Sequence, residues 1–236
     1  MPIEILGPTW PTVQALRTVL ADAPESGTYR VGGPPTDSIT QLIRFREAGL
    51  RTPNFTTCLA AAMDWVAAGH TVFGRKLIHT RGNDIVLPGP LRNIATRPYN
   101  LRWMRSDWWS RYIPPTEEWR IHVFDNQIIA RGKKIHSGKS WRKAPVRNVG
   151  NGWTFDFHSD PPKGLRKTAR EAVQALGYPA GGVDILQVTS TPPGGDIPPT
   201  NEFYVLEVNR LPALTCPYTL GAWASAIRRK FQTDIE

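Results

Sequence analysis

Cysteine is nearly absent from this chain. Its two cysteines, Cys58 and Cys216, lie far apart with no metal-like spacing, and they read as buried, reduced thiols of a cytoplasmic protein. Long hydrophobic runs are missing as well. No stretch of about eighteen apolar residues occurs. The opening "MPIEILGPTW" has neither the basic start nor the apolar core of a signal peptide. A membrane span and export by that route are therefore not expected. Acidic residues are in short supply, 20 against 29 Lys and Arg, which leaves a net charge of +9. Such a field attracts nucleotides, nucleic acid or an acidic substrate. The basic residues are spread along the chain, so charge alone does not choose among these. His79, His122, His136 and His158 show no HExxH-like spacing, which leaves zinc hydrolase chemistry unsupported.

What is present is a core. The 236 residues are 40% hydrophobic with nine tryptophans, enough for one large domain or two small ones packed together. "IEILGP", "PTVQALRTVLADA" and "TYRVGG" read as a strand–helix–strand unit. Asp37 or Ser38 would cap the helix "ITQLIRFREAG", closed by Gly49, and "LRTPNF" leads away extended. "CLAAAMDWVAAGH" reads as a second helix ending at Gly69. "TVFGRKL" and "DIVL" are expected as short strands joined by the polar turn "IHTRGN". Residues 88–107 give a loop or weak strand, and "WWSRYI" a strand. "EWRIHVF" and "QIIARGKKI" predict a hairpin turning at Asp125-Asn126. "KGLRKTAREAVQALG" is an amphipathic helix stopped by Gly177. The strands "GGVDILQV" and "FYVLEVN" follow, then the helix "LGAWASAIRRKF". Strand hairpins interrupted by helices predict an α+β architecture with antiparallel sheets.

Two of these strands carry carboxylates inside apolar runs. Strict alternation puts Glu207 and Asn209 on one face with Val205 and Phe203, and Leu206 and Val208 on the other. If the last two strands pair as a hairpin, Asp184 comes to lie beside Glu207 and Asn209. Unpaired charges on a half-buried sheet cost several kcal/mol, on the order of the penalty for desolvating an ion. Two readings relieve that cost: a magnesium ion, which takes oxygen ligands, and ion pairs with nearby Arg or Lys.

"GGVDIL…FYVLEVNRLPALT" resembles the end of the ATP-grasp fold, the superfamily of glutathione synthetase, D-alanine–D-alanine ligase and the ligase that adds glutamates to ribosomal protein S6. Further segments line up in order over about residues 37–225. "FREAGLRTPNF" resembles the segment that opens the grasp. "VFGRKLIHTRGNDIVL" resembles the phosphate-binding hairpin, with Arg75 where the phosphate-binding Lys usually stands and Asp84 where the flap normally has a second Gly. "RYIPPTEEWRIHVF" resembles the adenine hinge and the D/E-x-R strand, here Glu118-Trp119-Arg120. "VRNVGNGW" resembles the segment near the acyl-phosphate site.

The resemblance implies an ATP-grasp fold in which two α+β subdomains grip ATP. A shortened N-terminal β-α-β unit would span 1–36, the subdomain with the phosphate flap 37–107, and the subdomain with hinge and metal site 108–236. It implies an ADP-producing carboxylate–amine ligase working through an acyl phosphate. Its cofactors would be ATP and two magnesium ions, with manganese able to substitute, held by Asp184, Glu207 and Asn209. Nucleotide contacts would come from Arg75, from Thr80 and Gly82 in the flap, from Arg111, Tyr112 and Ile113 at the hinge, and from Lys133 or Lys134. By alternation only one of those lysines faces the site, and Lys133 shares a face with Arg131. Arg120, Arg147 and Arg210 are the cations expected around the reacting groups, Arg210 holding either a substrate carboxylate or the C-terminal helix.

"SGKSW" does not make a P-loop, since Gly132 is one residue too far from Gly138 and no helical pattern follows. A metal nuclease usually adds a Lys two residues beyond the Glu, where Asn209 stands. The alternative from another class is an ATP-grasp-like protein that binds nucleotide or nucleic acid without ligation. The short N-terminal unit leaves the substrate side open, which suits a peptide, a protein tail or a modified nucleic acid.

Overall fold

The computed structural model describes residues 3–7, 10–30, 36–77, 85–87, 101–137, 146–147, 151–190, 200–214 and 216–232. The flap positions Thr80, Gly82 and Asp84 lie outside them. The chain opens with β1 (Ile3–Leu6), α1 (Pro11–Leu20) and β2 (Gly27–Arg30), the two strands pairing in parallel as a strand–helix–strand unit requires. Proline at the first turn starts α1, where a missing N–H costs nothing.

Next comes α2 (Ser38–Glu47), capped by Asp37, whose side chain accepts from the Thr40 amide at 2.9 Å. A three-stranded sheet is built from β3 (Phe55–Thr56), β4 (Val72–Arg75) and β5 (Trp108–Arg111) in the order β3-β5-β4, all antiparallel. One face of it is covered by α3 (Leu59–Ala67) and the single turn α4 (Leu101–Met104), through a core of Ala62, Val66, Val72, Trp103 and Trp109. Strand β5 belongs to this sheet although it lies beyond the expected break at residue 107.

A five-stranded antiparallel sheet carries the rest, in the order β10-β9-β6-β7-β8. Its strands are β6 (Glu117–Phe124), β7 (Gln127–His136), β8 (Trp153–Asp156), β9 (Ala180–Ser190) and β10 (Thr200–Asn209). One face packs on α2 and α5 (Leu165–Ala175) through Leu42, Phe45, Trp119, Ile121, Val183, Ile185, Val205 and Val208. On the other face, α6 (Pro217–Gln232) and the β1-α1-β2 unit cover the lower half through Phe124, Ala180 and Trp223. The upper half of that face is left to the polar residues described below. No helix among the described residues is long and apolar enough to cross a membrane.

Several expectations are corrected. Residues 101–104 form a helical turn rather than loop or strand, and β8 was not anticipated. Of "DIVL", Val86 makes only an isolated bridge to Gly74. Cys58 is exposed and Cys216 half-buried, so neither is the buried thiol expected. Strict alternation fails on β10: Val205 pairs with Ile185 and Glu207 with Asp184, which leaves Leu206 as a bulge. The extra residue turns Val205 to the same core as Val208 and away from the face of Glu207.

Candidate active site

The antiparallel register sets Glu207 opposite Asp184 and Asn209 opposite Gly182, while β6 sets Arg120 against Asp184 from the other side. Asp184 is buried, and Arg120 grips it with two hydrogen bonds of 2.6 and 2.7 Å. Burial would raise the Asp184 pKa, but Arg120 and a hydrogen bond with Glu207 hold it below the usual carboxylate value. Burial likewise works against the Arg120 charge, and Asp184 outweighs it, holding the guanidinium above its ordinary value. Asn209 Nδ2 donates to Glu207 Oε1 at 2.9 Å. Gly182 is needed beneath this cluster, since a Cβ there would come within 2.9 Å of Pro212 in the following loop.

Next to this pair, Lys134 Nζ donates to Glu118 at 2.5 Å and to the Arg147 carbonyl at 2.7 Å. Arg147 Nη2 donates to the Pro115 carbonyl at 3.1 Å, and its guanidinium lies over Trp153. Burial raises the Glu118 pKa against the pull of Lys134. The three-stranded sheet supplies the opposite wall with Phe73, Arg75, Trp108 and Ser110 on the face turned away from α3 and α4. Arg75 Nε donates to Ser110 Oγ at 3.2 Å. Desolvation lowers the Arg75 pKa, and the carboxylates of Glu207 and Glu118 pull it back up. A cation from one sheet thus faces acids from the other.

The residues present fit a divalent cation. Two carboxylates in contact repel when both are ionised, so the Asp184–Glu207 pair calls for a proton or a cation between them. Asp184 accepts two bonds from Arg120, and a carboxylate has about four lone-pair sites. Asn209 directs its amide N–H to Glu207 and keeps its carbonyl oxygen as a hard ligand. Among the described residues no three of His, Cys, Asp and Glu gather to hold a metal; the donor set is two carboxylates and one carboxamide.

Other predicted residues stand elsewhere. Lys133 is on the opposite face, paired with Glu117 at 3.3 Å and over Trp119, so Lys134 is the lysine that faces the cleft. The Arg111 and Tyr112 amides donate to Asn54 and Thr71 carbonyls at 2.9 and 2.8 Å, which takes both main-chain donors away from a base. Ile113 lies in the segment that joins the two sheets. Arg210, directly after β10, lies with its guanidinium 4.4 Å from the centre of the Tyr178 ring. Glu118 and Phe155 were missed as site residues. The D/E-x-R spacing carried a signal for Glu118; Phe155 sits on a strand that the pattern did not show.

No protein-family model matches the sequence, and no curated protein matches it. Solved structures do. The ATP-grasp ligase PsnB, complexed with minimal precursor, Mg and ADP, superposes with a TM-score of 0.60 at 16% identity over 93% of this chain and 66% of that one. The D-alanine–D-alanine ligase of Bacillus anthracis gives 0.61 at 11% identity, covering 99% and 97%. The chain has the ATP-grasp fold. The macrocyclase MdnC of Microcystis aeruginosa MRC, bound with precursor peptide MdnA, shares this fold at a TM-score of 0.55 and 16% identity over 92% and 68% of the two chains. The chain spans about two thirds of the length of PsnB and MdnC. The acids and cations described above come from both sheets, Arg75 from the small one and Glu118, Arg120, Asp184 and Glu207 from the large one.

Proposed function

We propose that the protein is an ATP-dependent carboxylate–amine ligase that forms an amide bond through an acyl phosphate. The observation that carries this reading is the convergence of Asp184, Glu207 and Asn209 on one sheet, facing Arg75 on the other. In it, Asp184, Glu207 and Asn209 hold magnesium, which neutralises the triphosphate charge when bound. Arg75 places a buried cation against the phosphates, as a planar fork where a lysine would be a point charge. Arg120, Lys134 and Arg147 set positive charge where negative charge develops on the transferred phosphoryl group, in surroundings too dry for water to screen it. Segment 112–116 forms the hinge, and the phosphate-side jaw runs from residue 37 to that hinge. The ligases PsnB and MdnC were solved with precursor peptides, which supports a peptide as substrate here.

The test measures ADP release with Mg-ATP and a panel of peptides, alongside thermal shift. The expected result is peptide-stimulated ADP release that Asp184→Asn and Glu207→Gln abolish in protein that still unfolds cooperatively, Asp184→Asn at lower stability because Arg120 loses its ion pair, with the magnesium-dependent thermal shift lost in both. Full ADP release by both variants would overturn the metal assignment. Mg-ATP affinity with no release for any peptide would instead leave a nucleotide-binding protein without ligation.

A further inference from the structure

On the β8 side of the cluster, the sheet presents rings instead of charges. Phe155 lies beneath the two cations of the site, 5.2 Å from the Arg120 guanidinium and 5.9 Å from the Lys134 ammonium. Phe157 stacks on Phe155 with centroids 6.1 Å apart and planes at 30°. Tyr218, at the start of α6, packs on Phe157 in a tilted arrangement, with centroids 5.3 Å apart and planes at 40°. The three rings form a ladder that starts at the reacting centre and ends at an exposed tyrosine, 44% accessible. Phe155 and Phe157 are themselves only half-buried.

The backbone is shaped to admit this ladder. Gly132, on β7, is opposite Arg120 and lies under the rings. A Cβ at Gly132 would meet Phe157 at 3.0 Å and Phe155 at 3.2 Å. A side chain on that strand position would crowd both rings and make them give by a few tenths of an ångström. Arg120, at the inner end, uses two of its five N–H donors on Asp184, so three remain for an oxygen ligand. A cation with spare donors at one end and partly exposed, mutually packed rings along the other is complementary to a molecule with an acid at one end and a planar apolar group beside it.

We infer that Phe155, Phe157 and Tyr218 form the subsite for the carboxylate substrate, and that this substrate carries an aromatic side chain next to the carboxyl group that Arg120 receives. The inference rests on the ligase reading for the word substrate, but the subsite is tested by binding alone. Stacking aligns the ring along the ladder, which holds the carboxyl at Arg120 in one orientation and covers it from water on the β8 side.

The probes are N-acetyl-phenylalanine, N-acetyl-leucine and N-acetyl-alanine, titrated by calorimetry into protein loaded with magnesium and a non-hydrolysable ATP analogue. The phenylalanine derivative is expected to bind about five- to ten-fold more tightly than the other two, the factor one aromatic pair supplies. Tyr218→Ala should remove most of that preference and Tyr218→Phe should keep it, Tyr218 being exposed enough that neither change threatens the fold. Gly132→Ala should weaken the phenylalanine derivative through the displaced rings. Affinity for the ATP analogue reports that each variant is folded. Equal binding of the three probes, no binding of any, or a preference that survives Tyr218→Ala would each overturn the subsite. Absence of ADP release with every peptide would count against the ligase reading and not against this ring-selective binding.

Discussion

Lys133 and Lys134 are chemically the same and adjacent, yet the sheet gives them different work. Lys134 neutralises the buried Glu118, while Lys133 meets the half-exposed Glu117 on the opposite face. Lys134→Ala leaves Glu118 ionisable, buried and without its nearest cation, so we predict a loss of about 3–5 kcal/mol in urea unfolding. Lys133→Ala should cost no more than about 1 kcal/mol and leave ADP release intact, as partly exposed pairs contribute little. Sequence alone showed that one of the two must face the cleft. Choosing between them needed the register, because Trp119 pairs with Lys133 and alternation then places Lys134 beside Glu118. His122 shares the site face of β6 with Arg120 and accepts a hydrogen bond from Trp223 Nε1 at 3.0 Å, which only an unprotonated Nδ1 can do. Burial, helped by the Arg120 charge, brings its pKa down to about 3. Its ordinary value is 6.5, so between these values the unfolded chain binds the proton and the folded one does not. Stability is therefore expected to be complete above pH 6.5 and to fall as the pH drops from there towards 3. His122→Gln, whose amide oxygen can accept the same bond, should flatten that part of a melting-temperature profile against pH.

Elements show where local chemistry speaks clearly and where it does not. The β6–β7 hairpin turns at Asp125 and Asn126, with φ of 42° and 62°, the left-handed pair that a two-residue turn between twisted strands demands. Aspartate and asparagine tolerate that conformation, so the turn was readable. Asn126→Val puts a β-branched residue there, and chemical denaturation should show a loss of roughly 1–2 kcal/mol. Asn126→Gly should stay within about 1 kcal/mol of the parent, since glycine adopts the turn freely but loses the bond from Gln174. The bulge at Leu206 was not readable. Nothing in "FYVLEVN" marks it, because Val205 and Leu206 are equally apolar and either suits the core. What selects the bulge is the partner strand, where Ile185 and Asp184 are adjacent and demand Val205 and Glu207 in turn. Strand β8 escaped for a related reason: four residues, "WTFD", are too short for a period to show.

At the scale of the molecule, the site exists because two sheets of different size face one another across segment 112–116. Arg75 comes from the small sheet, Asp184 and Glu207 from the large one, and Arg147 ties the connecting segment to the second through the Pro115 carbonyl. A ligand that bridges both jaws stabilises only the assembled form. Saturating Mg-ATP at about a hundred times its dissociation constant is therefore expected to add about 2.7 kcal/mol, visible as a rise in melting temperature that neither ATP nor magnesium alone produces. The two ends of the chain meet as well, since α1 and α6 share one core around Leu16, Trp223 and Ile227.

By itself the sequence determined the α+β class and the hairpin turn, and it narrowed the cap of α2 to Asp37 or Ser38. These follow from short-range rules of period, capping and turn conformation that a few residues satisfy alone. Only the tertiary structure decided that Lys134 and not Lys133 faces the cleft, that the amides of Arg111 and Tyr112 are bound within the small sheet, that Arg210 packs on Tyr178, and that Phe155, Phe157 and Tyr218 pack in a row. Each of these depends on which residues of distant segments come opposite one another, and a charge or a ring carries no mark of its partner until the sheet register has placed them together.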